Sequence, residues 1–231
     1  MLNDENKIIG ILTAQDVIEA VDDELGEDYA KLAGLSAEED LQESTKDSMK
    51  KRLPWLIILL FLGMLVSSVV GVFEDVVAIL PIVICFQSLV LDMAGNVGTQ
   101  SLAVTIRVLM DENLSAKDKL HLTFKEAKVG FSSGLLLGML ALVFLGVYIY
   151  LFKGYLLGHA FLISGCVGAS LFLAMIISSL VGTLIPLFFN KIKIDPAVAS
   201  GPLITTVNDL VAVVTYYGLA WILLIEIMHI A

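Results

Sequence analysis

Long apolar stretches separated by short polar segments dominate the sequence after residue 53. A transmembrane helix needs about 20 consecutive apolar residues, and the chain contains several stretches of at least that length. They occupy residues 54–73, 78–105, 129–151, 160–189 and 200–226. The pattern predicts an all-α polytopic protein with five transmembrane helices in a lipid bilayer. Because five is an odd number, the two ends of residues 54–231 should lie on opposite sides of the membrane.

Lysine and arginine are divided unevenly among the polar segments, and this bias predicts the orientation of the chain. Three segments are basic, and they precede the first span, join the second to the third, and join the fourth to the fifth. Their basic residues are Lys46, Lys50, Lys51 and Arg52, then Arg107, Lys117, Lys119, Lys125 and Lys128, then Lys191 and Lys193. The other two connections hold Glu74 and Asp75, then Lys153. We therefore expect a cytoplasmic N-terminus and an external C-terminus in the plasma (inner) membrane.

The first 53 residues differ from the rest in being polar and acidic, with 14 Asp and Glu against 6 Lys and Arg. Residues 8–12 have the pattern of a short strand, Thr13 is a candidate N-cap for an amphipathic helix, and Ser36 is a candidate N-cap for a second helix over residues 37–51. So short a piece cannot bury a core of its own. We expect residues 1–35 to end a cytoplasmic domain and residues 36–53 to connect it to the membrane. An acidic chain of this kind is not suited to bind nucleic acid.

Small residues recur at four-residue spacing in three of the predicted spans, which favours close helix packing and is compatible with a dimer. The series are Gly63, Ser67 and Gly71; Gly130, Gly134 and Gly138; and Ser164 with Gly168, or Gly165 with Ala169. In the second span, "MAGNVGTQ" contains Gly95 and Gly98 and predicts a local loosening or bend of the helix. Cys85 and Cys166 lie in apolar stretches and are expected to pack there without forming a disulfide.

Two aspartates, Asp92 and Asp209, lie inside predicted spans, where ionisable side chains are rare and costly. At 1.5 Å per residue, Asp209 lies about 9–15 Å into the fifth span, near the middle of a hydrocarbon core about 30 Å thick. Neither of these two spans, residues 78–105 and residues 200–226, contains a lysine or an arginine. A buried aspartate without a cationic partner must take up a proton or bind a cation.

Both aspartates belong to polar stripes, because residues three or four positions apart share a face of a helix. The stripes consist of Thr205, Asp209, Ala212 and Tyr216 in the fifth span and of Asp92, Asn96 and Gln100 in the second. The second stripe should lie nearer the cytoplasm, since that helix runs inward. Together the stripes predict a shared hydrated path. Two alternatives stay open: Asp92 could cap a loosened "MAGN" backbone, and Thr205, Thr206 and Asn208 could form hydrogen bonds between helices.

Several segments together resemble the family of MgtE-type magnesium channels. They are "RLPWL" at the start of the first span, "FE" at its far end, "MAGNVGTQS" with Arg107 after it, and "DPAVASGPLITTVNDL" entering the fifth span. The resemblance implies a homodimer with a pore on its two-fold axis, lined by the second and fifth helices, and Asp209 as the main Mg²⁺ contact. Asn208, Thr205, Asp92 and Asn96 are further candidate metal contacts, and Ala212, Tyr216 and Gln100 are candidates for the pore lining. The N-terminal segment resembles the end of the family's second CBS domain followed by its plug helix.

The predicted function is transport of Mg²⁺, or a related divalent cation, with the ion as cargo and possible ligand. The alternative is an intramembrane aspartyl protease in which Asp92 and Asp209 act as a general acid and base. Neither "LDMAGN" nor "VNDL" resembles the Tyr-Asp and Gly-x-Gly-Asp motifs of such proteases, so we expect no enzyme. A membrane anchor without transport activity is a third possibility, but it would leave the polarity at mid-membrane depth unexplained.

Overall fold

A computed structural model describes residues 7, 10–37, 39, 41–110 and 114–227. Within these ranges the chain folds into seven α-helices and no strand. They are α1 (Ala14–Leu32), α2 (Thr45–Val72), α3 (Glu74–Ile79), α4 (Ile84–Leu109), α5 (Ala116–Lys153), α6 (Leu157–Lys191) and α7 (Gly201–Leu219). Short 3₁₀ turns precede α4 (Pro81–Val83) and α7 (Pro196–Val198), and π-helical turns (Ala220–Ile227) extend α7.

Five helical segments are long and apolar enough to cross a membrane, as the sequence predicts. They are Thr45–Val72, Pro81–Leu109, Ala116–Lys153, Leu157–Lys191 and Gly201–Ile227. Four of them extend beyond the apolar stretch by several residues at one or both ends, because polar residues continue the helix into the aqueous region. The chain is therefore a multi-pass membrane protein.

The core lies where α4, α6 and α7 pack against one another. Its largest fully buried side chains include Tyr216 and Tyr217 of α7, Ile163 and Val167 of α6, and Val90 of α4. Helix α5 packs along α6, whereas α2 contacts the bundle chiefly through α7 and has no buried residue. The two polar stripes predicted from the sequence therefore lie on helices that touch each other.

The small-residue series of the third span marks the contact between α5 and α6, which confirms the packing prediction there. A Cβ added at Gly130, Gly134 or Gly138 would lie 2.7–3.0 Å from atoms of α6. The series in α2 is different, because a Cβ at Gly63 or Gly71 would meet no atom within 4 Å. Among the described residues, no helix packs closely against Gly63 or Gly71.

The N-terminal segment follows the sequence prediction at α1 and departs from it on both sides. The Thr13 hydroxyl accepts a hydrogen bond from the Asp16 backbone N–H, and the Thr13 N–H donates to the Asp16 carboxylate, so Thr13 is the predicted N-cap. Residues 10–12 of the predicted strand are not in a strand, and residues 8 and 9 lie outside the described residues.

The helix predicted over residues 37–51 is wrong in its start. Helix α2 begins at Thr45, where Ser44 is the N-cap, and runs without a break past Pro54 to Val72. Ser36 has another role, because its backbone N–H and its hydroxyl both donate to the Lys51 carbonyl, at 3.0 Å each. Arg52 forms two hydrogen bonds with the Glu39 carboxylate, which fixes the loop against the start of α2.

Helix α1 is attached to the loop before α7 by an ion pair between Lys31 and Asp195, with Nζ and Oδ2 2.8 Å apart. The hydrogen bond from Lys31 to Asp195 raises the pKa of Lys31 above its ordinary value. Burial alone would raise the pKa of Asp195, but the hydrogen bonds from Lys31 and from the Ala197 N–H outweigh it and lower that pKa. A few residues further on, Trp55 Nε1 of α2 donates to the Ser200 hydroxyl at 2.7 Å.

Candidate functional site

The polar stripe of α4 lies on the outside of the single chain. Asp92, Asn96 and Gln100 are all exposed, and within the described part of the chain none of them makes a hydrogen bond or an ion pair with another residue. Thr99 and Thr105 of the same helix, by contrast, form hydrogen bonds within the helix: each hydroxyl donates to the backbone carbonyl four residues earlier, at 2.7 Å in both cases. The three stripe residues therefore remain available for water, an ion or a second chain.

Helix α4 continues through "MAGNVGTQ", so the predicted loosening is wrong. The two glycines serve close packing instead. A Cβ at Gly95 would lie 3.1 Å from the Thr205 methyl group, and a Cβ at Gly98 would lie 1.8 Å from the Asn208 amide nitrogen. Asp92 consequently has no loosened backbone to cap, and that alternative loses its basis.

The second turn of helix α7 contains two consecutive threonines, and their hydroxyls form hydrogen bonds within the helix. Thr205 donates to the Gly201 carbonyl at 3.0 Å and Thr206 to the Pro202 carbonyl at 2.9 Å. Ser200 is the N-cap, with its hydroxyl accepting from the Leu203 N–H at 3.4 Å. The threonine hydroxyls thus do not join α7 to another helix, although the Thr205 side chain contacts α4 through its methyl group.

Asp209 is partly exposed, and its carboxylate has no hydrogen-bond or ion-pair partner among the described residues. The preceding residue, Asn208, points elsewhere: it is completely buried against Gly98. Both polar atoms of its amide lack a hydrogen-bond partner within the described part, as does the nearby buried hydroxyl of Ser178 on α6. The adjacent residues Asn208 and Asp209 therefore lie on different faces of the helix, one buried in the bundle and the other partly exposed.

Ala212 and Tyr216, predicted to share the polar face of α7, belong to the core. They are 0% and 1% exposed, respectively. The Tyr216 hydroxyl donates to the Val83 carbonyl at 2.7 Å, and the neighbouring Tyr217 donates to Gln87 at 2.5 Å. These residues face α4 and α6 because the aromatic rings fill the bundle, so a single chain offers neither of them to a pore.

The contacts between α4 and α7 also fix the relative depth of the two aspartates. The helices are antiparallel, with Tyr216 reaching Val83 and Thr205 against Gly95. From the contact of Gly95 with Thr205, Asp92 lies three residues along α4 and Asp209 four residues along α7, in the same direction. At 1.5 Å per residue these displacements are about 4.5 and 6 Å. The aspartates therefore lie at nearly the same level, and Asn96 and Gln100 extend from that level toward the Arg107 end of α4, the end that the sequence predicts to be cytoplasmic.

A single chain does not build a dehydrated metal centre in the ranges that the structure describes. No group of three or more His, Cys, Asp or Glu side chains there is close enough to hold a metal ion. The arrangement instead offers two carboxylates at one level, with the Asn96 and Gln100 amides further along α4. Carboxylate and amide oxygens suit a hard cation that retains part of its water shell.

Sequence reasoning missed a buried carboxylate, Glu126, because the predicted third span begins only at residue 129. Glu126 is 5% exposed and accepts a hydrogen bond from the Ser101 hydroxyl of α4 at 2.9 Å. The Ser179 hydroxyl of α6 donates to the Glu126 backbone carbonyl at 2.7 Å. The available signal was spacing, since Glu126 precedes Gly130, Gly134 and Gly138 by four-residue steps and so shares their buried face.

Five apolar helices, two of which are antiparallel neighbours carrying polar side chains unpaired among the described residues, define a polytopic helical membrane protein. Comparison with known sequences adds the family. The family model MgtE, described as a divalent cation transporter, matches residues 87–219. The chain belongs to this MgtE family, and the family is one of transporters rather than enzymes, which leaves the protease alternative without support.

Individual relatives agree with the family assignment. The chain is 38% identical to the magnesium transporter MgtE of Bacillus subtilis (strain 168) over 221 residues, which is 95% of this chain and 47% of the relative. It is 31% identical to the magnesium transporter MgtE of Thermus thermophilus over 227 residues, 97% of this chain and 48% of the relative. The chain thus spans about half the length of the curated relatives it matches.

Proposed function

We propose that the protein transports Mg²⁺ across the plasma membrane through a homodimeric pore lined by α4 and α7. The observation that carries this proposal is the pair of unpartnered carboxylates, Asp92 and Asp209, at nearly one level of adjacent helices. Membership of a divalent cation transporter family and the names of the relatives support Mg²⁺ as the ion. The uneven distribution of lysine and arginine supports a cytoplasmic N-terminus.

Asp209 is the main contact of the ion in this proposal. Mg²⁺ loses its water shell reluctantly and is usually held by one or two carboxylates with several waters in place. Two copies of Asp209 across a two-fold axis would supply two negative charges at one depth and would contact the ion through its water. Thr205 and Asn208 have a lesser part, because the Thr205 hydroxyl bonds to Gly201 and the Asn208 amide is buried.

Asp92, Asn96 and Gln100 form the α4 side of the proposed path. Their exposure in the single chain is expected for residues that line a pore between two chains. Asp92 would add charge at the level of Asp209, and the two amides would offer oxygens further toward the basic end of the bundle. Ala212 and Tyr216 are not carried into the lining, since both are buried within one chain.

The test is Mg²⁺ uptake into proteoliposomes by the full chain and by Asp209→Asn. We expect uptake at least about tenfold slower in the variant, because the interaction of one carboxylate charge with a divalent ion about 5 Å away is worth about 1.7 kcal/mol even in water. Asp92→Asn should reduce uptake by a smaller factor, since the Asp92 side chain is exposed whereas Asp209 is partly buried. Asp22→Asn is the matched control, because Asp22 is an exposed acid of α1, outside the five spans.

Uptake by Asp209→Asn at the rate of the Asp22→Asn control would refute the assignment of Asp209. A wild type that passes no Mg²⁺ under an imposed membrane potential, while remaining monodisperse and helical, would refute the transport proposal itself. If Asp92→Asn abolishes uptake and Asp209→Asn does not, the main contact lies on α4.

A further inference from the structure

A groove of about 490 Å³ lies on the outward face of α5, away from the proposed ion path. Its walls include two lysines, a histidine and two serines, with apolar side chains between them. They are His121, Phe124, Lys125, Lys128, Val129, Ser132 and Ser133. Four of the polar members, His121, Lys125, Lys128 and Ser132, follow the spacing i, i+4, i+7 and i+11, so they form one stripe along the helix.

The cations of this stripe have no acidic partner in the part of the chain that the structure describes. Neither Lys125 nor Lys128 forms an ion pair or a hydrogen bond there, whereas Lys119, on another face of α5, donates to Asn190 at 2.6 Å. Asp118 interacts electrostatically with His121, but its carboxylate accepts a hydrogen bond from the Ser115 hydroxyl at the N-cap of α5. Among the described residues, the charges of these two neighbouring lysines therefore remain uncompensated.

The stripe lies at the depth of lipid headgroups. Lys128 precedes Lys153, at the other end of α5, by 25 residues, which is a rise of about 37 Å along the helix. Because the hydrocarbon core is about 30 Å thick, Lys128 and Lys153 bracket it and reach opposite headgroup layers. The apolar residues that follow on the same outward side are exposed: Phe131 at 49%, Leu135 at 43% and Met139 at 53%.

Helix α5 leaves this face uncovered because its contact with the bundle is on the opposite side. Gly130, Gly134 and Gly138 face α6, and α5 has few contacts with α4. The outward face thus combines a cationic end at headgroup depth with an apolar surface at acyl-chain depth. A ligand with an anionic headgroup and apolar chains would complement both the positive charge and the apolar surface of this face.

We propose that the groove binds an anionic phospholipid of the leaflet on the basic side of the membrane. The lysine ammonium groups of Lys125 and Lys128 contact the phosphate, His121 and the Ser132 hydroxyl flank the headgroup, and the acyl chains follow Phe131 and Leu135. A basic residue near an anionic lipid surface is worth a factor of about five in affinity. This site is independent of the proposed ion path.

The experiment measures lipid binding to the purified full chain in detergent by native mass spectrometry. Phosphatidylglycerol and phosphatidylcholine with the same acyl chains are titrated, and we expect tighter binding of phosphatidylglycerol. The double variant Lys125→Gln/Lys128→Gln should lose about 30-fold in phosphatidylglycerol affinity, at about fivefold per lysine. Lys191→Gln/Lys193→Gln is the matched control, because it removes the same charge from the same end of the bundle outside the groove.

Lys125→Arg/Lys128→Arg keeps the charge and should bind phosphatidylglycerol as the wild type does, which separates loss of the site from misfolding. Equal binding of the two lipids, or an equal loss in the control variant, would overturn the proposal. So would displacement of phosphatidylglycerol by millimolar inorganic phosphate, which would indicate a free-anion site. A change in the number of chains per particle in Lys125→Gln/Lys128→Gln, with lipid binding unchanged, would instead assign the face to a second copy.

Discussion

The Asn208 side chain fills a space that exists only because residue 98 is glycine. A Cβ at position 98 would lie 1.8 Å from the Asn208 amide nitrogen and 3.2 Å from the Ser178 carbonyl of α6. The close fit holds the Asn208 side chain on the core side of α7. Because adjacent residues of a helix are rotated by about 100°, the same fit sets the direction in which Asp209 points.

Gly182 is the position where an added methyl group should be most harmful. Its Cβ would lie 2.1 Å from the Gly98 carbonyl oxygen, which belongs to the backbone of α4 and cannot rotate away. We expect Gly182→Ala to reduce the stability by about 1–3 kcal/mol, the usual cost of overpacking, and to lower the thermal unfolding temperature in detergent. Gly63→Ala is the control, because a Cβ there meets no atom within 4 Å; equal unfolding temperatures would contradict the close crossing of α4 and α6.

Helix α1 is an element whose position depends on one main ion pair, so its attachment should depend on pH. The pKa of Asp195 is lowered in the folded protein, so the charged Asp195 stabilises the attachment of α1 above pH 3.8, its ordinary pKa. This stabilisation is lost as the pH falls through the lowered pKa. The pKa of Lys31 is raised in the folded protein, so the charged Lys31 stabilises the attachment of α1 below pH 10.5, its ordinary pKa. This stabilisation is lost as the pH rises through the raised pKa. Attachment should be constant between these limits and weaken outside them.

Lys31→Gln should loosen α1 at neutral pH, and hydrogen exchange of residues 14–32 measures the effect. Because Lys31 and Asp195 are both partly exposed, at 28% and 40%, we expect a loss below about 1 kcal/mol. Lys46→Gln is the control, since Lys46 is exposed and has no ion pair within the described ranges. Unchanged exchange of α1 in Lys31→Gln would show that the apolar contacts alone hold the helix.

Elements governed by membrane thickness could be predicted from the sequence, and elements governed by neighbouring helices could not. The five spans follow from runs of apolar residues, and the cap at Thr13 follows from a local hydrogen bond to Asp16. Helix α2 starts late because Ser36 bonds to the Lys51 carbonyl, a contact 15 residues away. The glycines of "MAGNVGTQ" looked like a bend because their packing partners, Thr205 and Asn208, are more than 100 residues further along the chain.

At the scale of the whole molecule, spacing identified two helices that pack against each other but not which of their residues face outward. A helical face only 60° wide includes Thr205, Asp209, Ala212 and Tyr216 alike, and only the positions of α4 and α6 separate the buried from the exposed members. The level of Asp92 relative to Asp209 cannot be read from spacing, because it depends on how α4 is aligned against α7. Glu126 was missed because it precedes the predicted third span and because its hydrogen-bond partners, Ser101 and Ser179, are distant in the sequence.

The orientation of the molecule is open to a direct test with introduced cysteines. In a background with Cys85→Ser and Cys166→Ala, we expect Lys153→Cys to react with a membrane-impermeant maleimide on intact cells. Lys117→Cys, at the opposite end of α5, should react only after the membrane is permeabilised. Both positions are exposed, so accessibility to the reagent is comparable; the reverse pattern would invert the proposed topology.

The position of Asp209 on α7 has a consequence for ion leakage while the chain is being synthesised and inserted into the membrane. Helix α7 leaves the ribosome after the other four described spans, and it brings both Asp209 and the tyrosines that fill the space between α4 and α6. A nascent chain ending before Gly201 has the polar stripe of α4 but lacks its partner helix. In the proposed pore, the route for the ion is completed only when α7 inserts, so unfinished chains without α7 would not leak ions across the membrane.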